Sequence, residues 1–535
     1  LTKMATGKRL TIKADDPMYI NRPNINGAKF LCNGEVRAWT GKIADVESPI
    51  FLEGTENKII IGNQARMSPA EALEALDAAV GAWNKGKGEW PQMTLTDRIK
   101  CMEAFVAKLK TKRDTIVNVL MWEICKVRAD AEKEFDRTMD YIAATIAAVK
   151  QMRQDDTKML DSSGVIAQQH RLPIGVMLNL GPFNYPFNET YTTLIPAIIM
   201  GNTAVMKIPN VGALAHMETM EAFAECFPKG VVNFISGAGR DTMPPIMATG
   251  KVDIFAFIGT SKAADALVKA HPCPHRLKNC LSLEAKNVAI VCKDADIDNA
   301  VAECALGALS YNGQRCTAIK QMMVHKDVAD EFVQKFTAKV GSLKLGLPWE
   351  AGTDITPLPE PSKPQYLAEL RADAEAKGAK IISPGADQDW GYTAVFPSIA
   401  YPVTKDMRVM QEEQFGPLCP IAVWSDIAEV EEYVMTSIYG QQAAVFTSGS
   451  DMDMVGSLLD LLAHSVGRVN LNCQCQRSPD TFPFTGRKSS ALGTLSVTEA
   501  LIVMSMESLV ATKSKNASLV EALAQSKKCK FLSRL

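Results

Sequence analysis

The sequence predicts an α/β protein built from two successive parallel sheets, each covered by helices. Three observations carry this. Short apolar runs alternate with amphipathic stretches between residues 174 and 270, and the alternation restarts near residue 280. Several of the apolar runs end in glycine or proline turns, as strands that stop at a loop do. At 535 residues the chain is also too long for one hydrophobic core.

The elements follow in order. Pro69 to Trp83 has helical periodicity and opens with Ser68-Pro69, an N-cap followed by proline at the first helical position. Further helical patterns cover Thr96 to Cys125 and Arg128 to Met152. The apolar run from Val165 to Leu180 is broken by Gln168, Gln169, His170 and Arg171, so it reads as two strands rather than a membrane span. Strands at 174–180, 203–207, 231–235 and 252–258 then alternate with helices at 189–200, 213–227 and 261–270. A hinge is expected between Leu281 and Asn287. Beyond it come strands at 280–283, 288–291 and 320–325, with helices at 296–311 and 328–340.

Composition narrows the class. The chain is 47% hydrophobic and 22% charged, with a formal net charge of −2. That describes a soluble globular protein with no basic surplus for nucleic acid. The thirteen cysteines lack the spacing of a disulfide framework, so reduced thiols in an intracellular compartment are expected. His271-Pro272-Cys273-Pro274-His275 and Cys473-Gln474-Cys475 resemble metal ligands only superficially, and no metal site is expected. The C-terminal Ser533-Arg534-Leu535 is close to a peroxisomal import tripeptide, so a peroxisome or glycosome-type organelle is expected alongside plain cytoplasm.

Four short blocks carry chemistry. Asn312-Gly313-Gln314-Arg315-Cys316-Thr317 puts a cysteine beside a cation, which favours the reactive thiolate, although most free cysteines are simply buried apolar residues. Gly181-Pro182-Phe183-Asn184-Tyr185-Pro186 follows the strand at 174–180, at the edge where ligands usually bind; Asn184 is either an oxyanion donor or an ordinary turn asparagine. Lys207 ends the next strand, as a cofactor ligand or a solvated strand end. The nearby Gly237-Ala238-Gly239 lacks the third glycine of a dinucleotide fingerprint. Glu284 stands among apolar strand residues, where a carboxylate suits general-base work, or it pairs with Lys286.

On these blocks, with Glu412-Glu413-x-Phe415-Gly416-Pro417 and Phe482-Pro483-Phe484-x-Gly486, the chain resembles the aldehyde dehydrogenase superfamily from about Pro69 to Met506. It is most similar to the NADP-dependent, non-phosphorylating glyceraldehyde-3-phosphate branch. The resemblance implies a Rossmann-like cofactor domain (1–160 and 177–284), a catalytic α/β domain (285–487) and a small oligomerisation arm (161–176 and 488–512), with a tail at 513–535. It implies Cys316 as nucleophile, Asn184 as oxyanion donor and Glu284 as deacylating base. It places Gly181, Lys207, Asn210, Gly259, Thr260, Glu413 and Phe415 on the cofactor. NADP is favoured because Asn210 stands where members that prefer NAD commonly carry a glutamate. An anion pocket of Arg137, Tyr185, Arg315 and Arg477, with Thr317 beside it, would hold a phosphorylated aldehyde. A homodimer or homotetramer is implied.

One departure stands out. In the family's Glu-Leu-Gly-Gly-Lys pattern the glutamate lies four residues before the lysine; anchored on Lys286, that position is Ser282, and Glu284 lies two before it. Other readings are oxidation of another aldehyde or semialdehyde, a CoA-acylating dehydrogenase that needs no such base, and a silent binding protein.

Overall fold

The computed structural model describes residues 9–155, 159–385, 391–526 and 528–532. Two large sheets organise the chain. The first has eight strands in the order Ala491–Leu492, Lys278–Ser282, Ile254–Ile258, Val176–Leu180, Thr203–Lys207, Val232–Ile235, Lys29–Cys32 and Glu35–Ala38. Its five middle strands are parallel and its outer pairings antiparallel. Every residue of Val176–Leu180 and Thr203–Lys207 is buried. Strands covered on both faces are mostly apolar, and here only Asn179, Thr203 and Lys207 interrupt the runs, which makes them legible without alternation.

The order in this sheet reverses between Val176–Leu180 and Ile254–Ile258. From Val176–Leu180 the chain builds outward through Thr203–Lys207 and Val232–Ile235, then returns to add Ile254–Ile258 on the other side. At such a switch point the loops after neighbouring strands part and leave a crevice. Gly181 and Gly259 sit there.

The second sheet has seven strands in the order Lys380–Ile382, Ser398–Tyr401, Leu418–Trp424, Ile319–His325, Asn287–Val291, Gln442–Phe446 and Arg468–Leu471, all parallel except the first pair. The expected hinge is the link between the sheets: Lys278–Ser282 belongs to the first and Asn287–Val291 to the second. A three-stranded antiparallel sheet joins Met159–Ser162, Val165–Pro173 and Ser505–Lys513, the last two over nine register pairs. The strand Ala491–Leu492, expected in the arm, instead completes an edge of the first sheet.

Other elements differ from expectation. The pattern at 96–125 forms two helices, Leu95–Lys110 and Arg113–Glu123. The pattern at 213–227 is two short helices, Leu214–Met217 and Met220–Cys226. The helix Gly239–Ala248 was unread because it contains Pro244 and Pro245, which argue against helix. All thirteen cysteines are free thiols. His271 is committed to backbone, its Nε2 against the Val252 carbonyl and its Nδ1 accepting from the Cys273 N–H. Among the described residues no helix is long and apolar enough to cross a membrane.

Candidate active site

The carboxyl edge of the first sheet faces the amino edge of the second. Residues 181–184, 258–260 and 282–284 come from the first edge. Cys316, Glu412, Glu413, Phe415 and Tyr439 precede or open strands of the second, and together they line a cleft of about 600 Å³. This brings Gly181, Asn184, Gly259, Thr260, Glu284, Cys316, Glu413 and Phe415 together from positions far apart in sequence.

The loop that carries Cys316 is strained into place. Tyr311, Asn312 and Gly313 all have left-handed backbone, with φ of 50°, 56° and 71°. A Cβ at Gly313 would come within 2.7 Å of the Ala308 carbonyl and 2.8 Å of the Gly416 carbonyl, so only glycine fits between the cysteine loop and the Phe415-Gly416 turn. Asn312 is tied on both sides to Thr356. The Cys316 carbonyl accepts from Asn287 Nδ2 and from Lys320 Nζ, each at 2.8 Å. Among the described residues no acceptor engages the Cys316 backbone N–H, which leaves it open for an oxyanion. Asn184 is buried and donates one Nδ2 hydrogen to the Gln314 carbonyl at 2.7 Å; its second is unassigned.

Arg315 is not among the main charges that act on the thiol. Its guanidinium donates to the Leu306 and Gly307 carbonyls at the end of the helix Ile297–Leu309, at 3.3 and 2.8 Å. That is a favourable seat for a cation. The Cys316 thiol is pushed up, first by desolvation and then by the charge of Glu189; Lys320 and Arg477 pull it down.

Around the strand ends of the first sheet, backbone does much of the placing. A Cβ at Gly181 would overlap the Thr190 hydroxyl, so glycine lets the strand end pack on the helix Asn188–Ile199. Thr260 caps the helix Ser261–Ala270. Glu413 accepts the Ala285 N–H at 3.1 Å and pairs with the buried Lys320 at 2.9 Å. Lys207 is buried, and its Nζ donates to Asn210 Oδ1 at 3.3 Å. Desolvation, then the charge of Arg66, brings its ammonium down to about 8.

The substrate end differs from expectation. The four anion-pocket residues do not form a ring of open cations. Arg137 makes a two-pronged pair with Asp480, at 2.8 and 2.6 Å, outside the residues that line the cleft. Arg477 grips Glu189, reaches Asp480 at 3.3 Å and donates to the Leu495 carbonyl. Tyr185 lies with the Lys126 ammonium 3.4 Å from its ring centre. Thr317 is buried and does not line the cleft. Glu189, absent from the expected set, lines the cleft with Cys316.

Glu284 lines the cleft too, but one of its oxygens accepts the Ser261 N–H at 2.8 Å, at the start of the helix Ser261–Ala270. The carboxylate therefore leans toward the start of that helix, and the acids that raise the thiol are Glu189 first and Glu413 after it.

Sequence reasoning also missed a buried pair beneath the site, Lys126 with Glu134. Glu134 accepts the Phe187 and Asn188 N–H groups, and Lys126 donates to the Asn184 carbonyl at 2.7 Å. The pair thus holds the turn that carries Asn184. A lysine and glutamate eight residues apart bear no local mark of this role.

The Aldehyde dehydrogenase family model matches residues 53–509. An NADP-dependent glyceraldehyde-3-phosphate dehydrogenase of Streptococcus equinus is 32% identical over 484 residues, covering 89% of this chain and 96% of that protein. A lactaldehyde dehydrogenase of Methanocaldococcus jannaschii is 27% identical over 466 residues, 86% of this chain and 95% of that protein. The crystal structure of an NADP-dependent glyceraldehyde-3-phosphate dehydrogenase from Bacillus halodurans C-125, complexed with NADP, superposes with a TM-score of 0.82 at 30% identity, over 91% of this chain and 99% of that one. With its two-sheet cleft and its cysteine loop, this chain belongs to the aldehyde dehydrogenase family.

Proposed function

We propose that this protein oxidises glyceraldehyde 3-phosphate to 3-phosphoglycerate with NADP, without inorganic phosphate. The observation that carries the reading is the convergence of Cys316 and Asn184 on one cleft with Gly181, Gly259, Thr260 and Glu413. Relatives that bear this activity in their names support the substrate.

The residues present fit the cofactor. Buried Lys207 has an asparagine rather than a carboxylate three residues on, so no fixed negative charge there repels a 2′-phosphate. Bound NADP would supply hydride acceptance at its nicotinamide. The protein's own part is covalent catalysis. Cys316 Sγ attacks the aldehyde carbon. The resulting oxyanion is held by the free Asn184 Nδ2 hydrogen and the Cys316 N–H; one such donor lowers the barrier by about 3–4 kcal/mol. Loss of that carbon's hydrogen as hydride to the acceptor that NADP would supply turns the thiohemiacetal into a Cys316 thioester, and water then releases the acid and returns the thiol. In this reading Glu284 is the base, because Glu189 is committed to Arg477 while Glu284 engages Ser261 through one oxygen only.

A second reading is oxidation of an uncharged aldehyde, favoured by the pairing of Arg137 and Arg477 with Asp480 and Glu189. We assign homo-oligomerisation to the sheet of Val165–Pro173 and Ser505–Lys513, which exposes Val165 and Leu509. Location in the cytoplasm or a peroxisome or glycosome-type organelle rests on Ser533-Arg534-Leu535, which lies outside the described residues.

A substrate panel tests the function. NADPH formed from glyceraldehyde 3-phosphate in phosphate-free buffer is the expected result. A clear preference for unphosphorylated aldehydes removes the phosphate reading and leaves the second.

A further inference from the structure

We infer that Arg66 recognises the 2′-phosphate of the dinucleotide and so sets its choice of cofactor, an inference that rests on the NADP reading above. Nothing in the local sequence marks this arginine. The tertiary structure does, by where it anchors the backbone on either side.

The strand Lys58–Ala65 ends one residue before Arg66, and Met67 leads to Ser68, the cap of the helix Pro69–Trp83. This short link is stitched across the carboxyl ends of two strands of the first sheet. Gln64 Nε2 donates to the Asn210 carbonyl at 2.9 Å, just beyond Thr203–Lys207. The Ser236 hydroxyl donates to the Ala65 carbonyl at 2.8 Å, and the Ser236 N–H meets Met67 Sδ at 3.3 Å, just beyond Val232–Ile235. A Cβ at Gly237 would come within 2.7 Å of the Met67 carbonyl, so the link and the strand end are in direct contact. Lys207 and Ile235 are register partners, so Arg66 stands at the ends of the two strands that carry the lysine and its neighbour.

The charges agree with this placement. Arg66 is exposed, and among the described residues no carboxylate pairs with it or with Lys207. It is the charge that acts on Lys207 after desolvation, and it acts to repel the ammonium. Two cations held together without an acid are relieved by an anion placed between them. An arginine fork on a phosphate, with a lysine as a point charge beside it, is a strong arrangement for that purpose. NAD presents only a ribose hydroxyl at the same position, so the gain belongs to NADP alone. A solvated surface arginine with no ligand is the plain alternative.

Binding to the whole protein, measured by calorimetry with 2′-AMP, 5′-AMP, NADP and NAD, separates the two. Arg66→Gln is expected to weaken NADP and 2′-AMP by about 10- to 100-fold, to leave NAD and 5′-AMP within about twofold, and to flatten the salt dependence of NADP binding. Arg66→Lys is expected to recover part of the loss. Unchanged NADP affinity in Arg66→Gln overturns the assignment, and so does an equal loss for all four ligands, which would mark a displaced loop. If the unaltered protein does not distinguish NADP from NAD, the cofactor reading itself fails; if it prefers NADP and Arg66→Gln keeps that preference, only Arg66 is excluded.

Discussion

Gly181, Gly259 and Thr260 line the cleft at the strand ends of the first sheet; Glu189 lines it too and is joined by ion pairs to Arg477 and, through Asp480, to Arg137, neither of which lines it. The first group is placed by backbone: two turns at a switch point of one sheet and the cap of one helix. The second is placed by ion pairs between residues 288 and 343 positions apart. Backbone placement can be read residue by residue, and Gly181, Gly259 and Thr260 do meet at the cleft, although Lys207 and Asn210 do not line it. Ion-pair placement cannot be read that way, because the meaning of an arginine there depends on which acid reaches it. A cation matched to Asp480 or Glu189 is not the same chemical object as an open one, although both read as Arg.

The sharpest break of this comparison is at the point where the two ends meet. Cys316→Ser should lower NADPH formation by about 10⁴-fold or more while NADP still binds, since a hydroxyl without a base is a poor nucleophile. Retained turnover in a rapid-mixing assay would move the chemistry elsewhere. At the substrate end, Glu189→Ala leaves Arg477 buried without that partner. We expect a loss of about 3–5 kcal/mol in a urea titration, and a neutral result would mean that Asp480 alone suffices for Arg477. Asn184→Ala should lower kcat by about 10²–10³-fold with little change in KM; if KM carries the loss instead, Asn184 binds ground-state substrate and is no oxyanion donor. The smallest effect is at the cofactor end. Lys207 lies near 8 rather than 10.5, so its charge is present below that pH and fades above it. NADP affinity should fall severalfold from pH 7 to pH 9.5, and binding near pH 8.5 should take up a proton. Calorimetry in two buffers of different ionisation enthalpy reads that uptake directly, and its absence would show that Lys207 does not face the phosphate groups.

Much of the frame was legible. Val176–Leu180 and Thr203–Lys207 are buried throughout and mostly apolar because helices cover both faces, and Ser68-Pro69 announces its helix by cap chemistry alone. The hinge at 281–287 was legible because two apolar runs flank a polar break. The helix Gly239–Ala248 was hidden by its two prolines. Arg315 illustrates a subtler failure. Adjacency to Cys316 in sequence suggests adjacency in charge, yet the side chain turns back to the Leu306 and Gly307 carbonyls. The Lys126–Glu134 pair was illegible for a related reason: it acts on the turn 184–188 from more than fifty residues away.

By itself, the sequence determined the layered α/β frame, the loop that carries Cys316 and the strand ends that carry Gly181, Lys207 and Gly259. Hydrophobic period, turn chemistry and capping are local properties, and they are written in neighbouring residues. Only the tertiary structure decided that Glu284 leans on the Ser261 N–H, that Glu189 and Glu413 are the acids acting on the thiol, and that Arg137 and Arg477 are already paired. It also set Arg66 beside Lys207. Electrostatic roles depend on distance and burial through space, and those quantities exist only once distant segments have met.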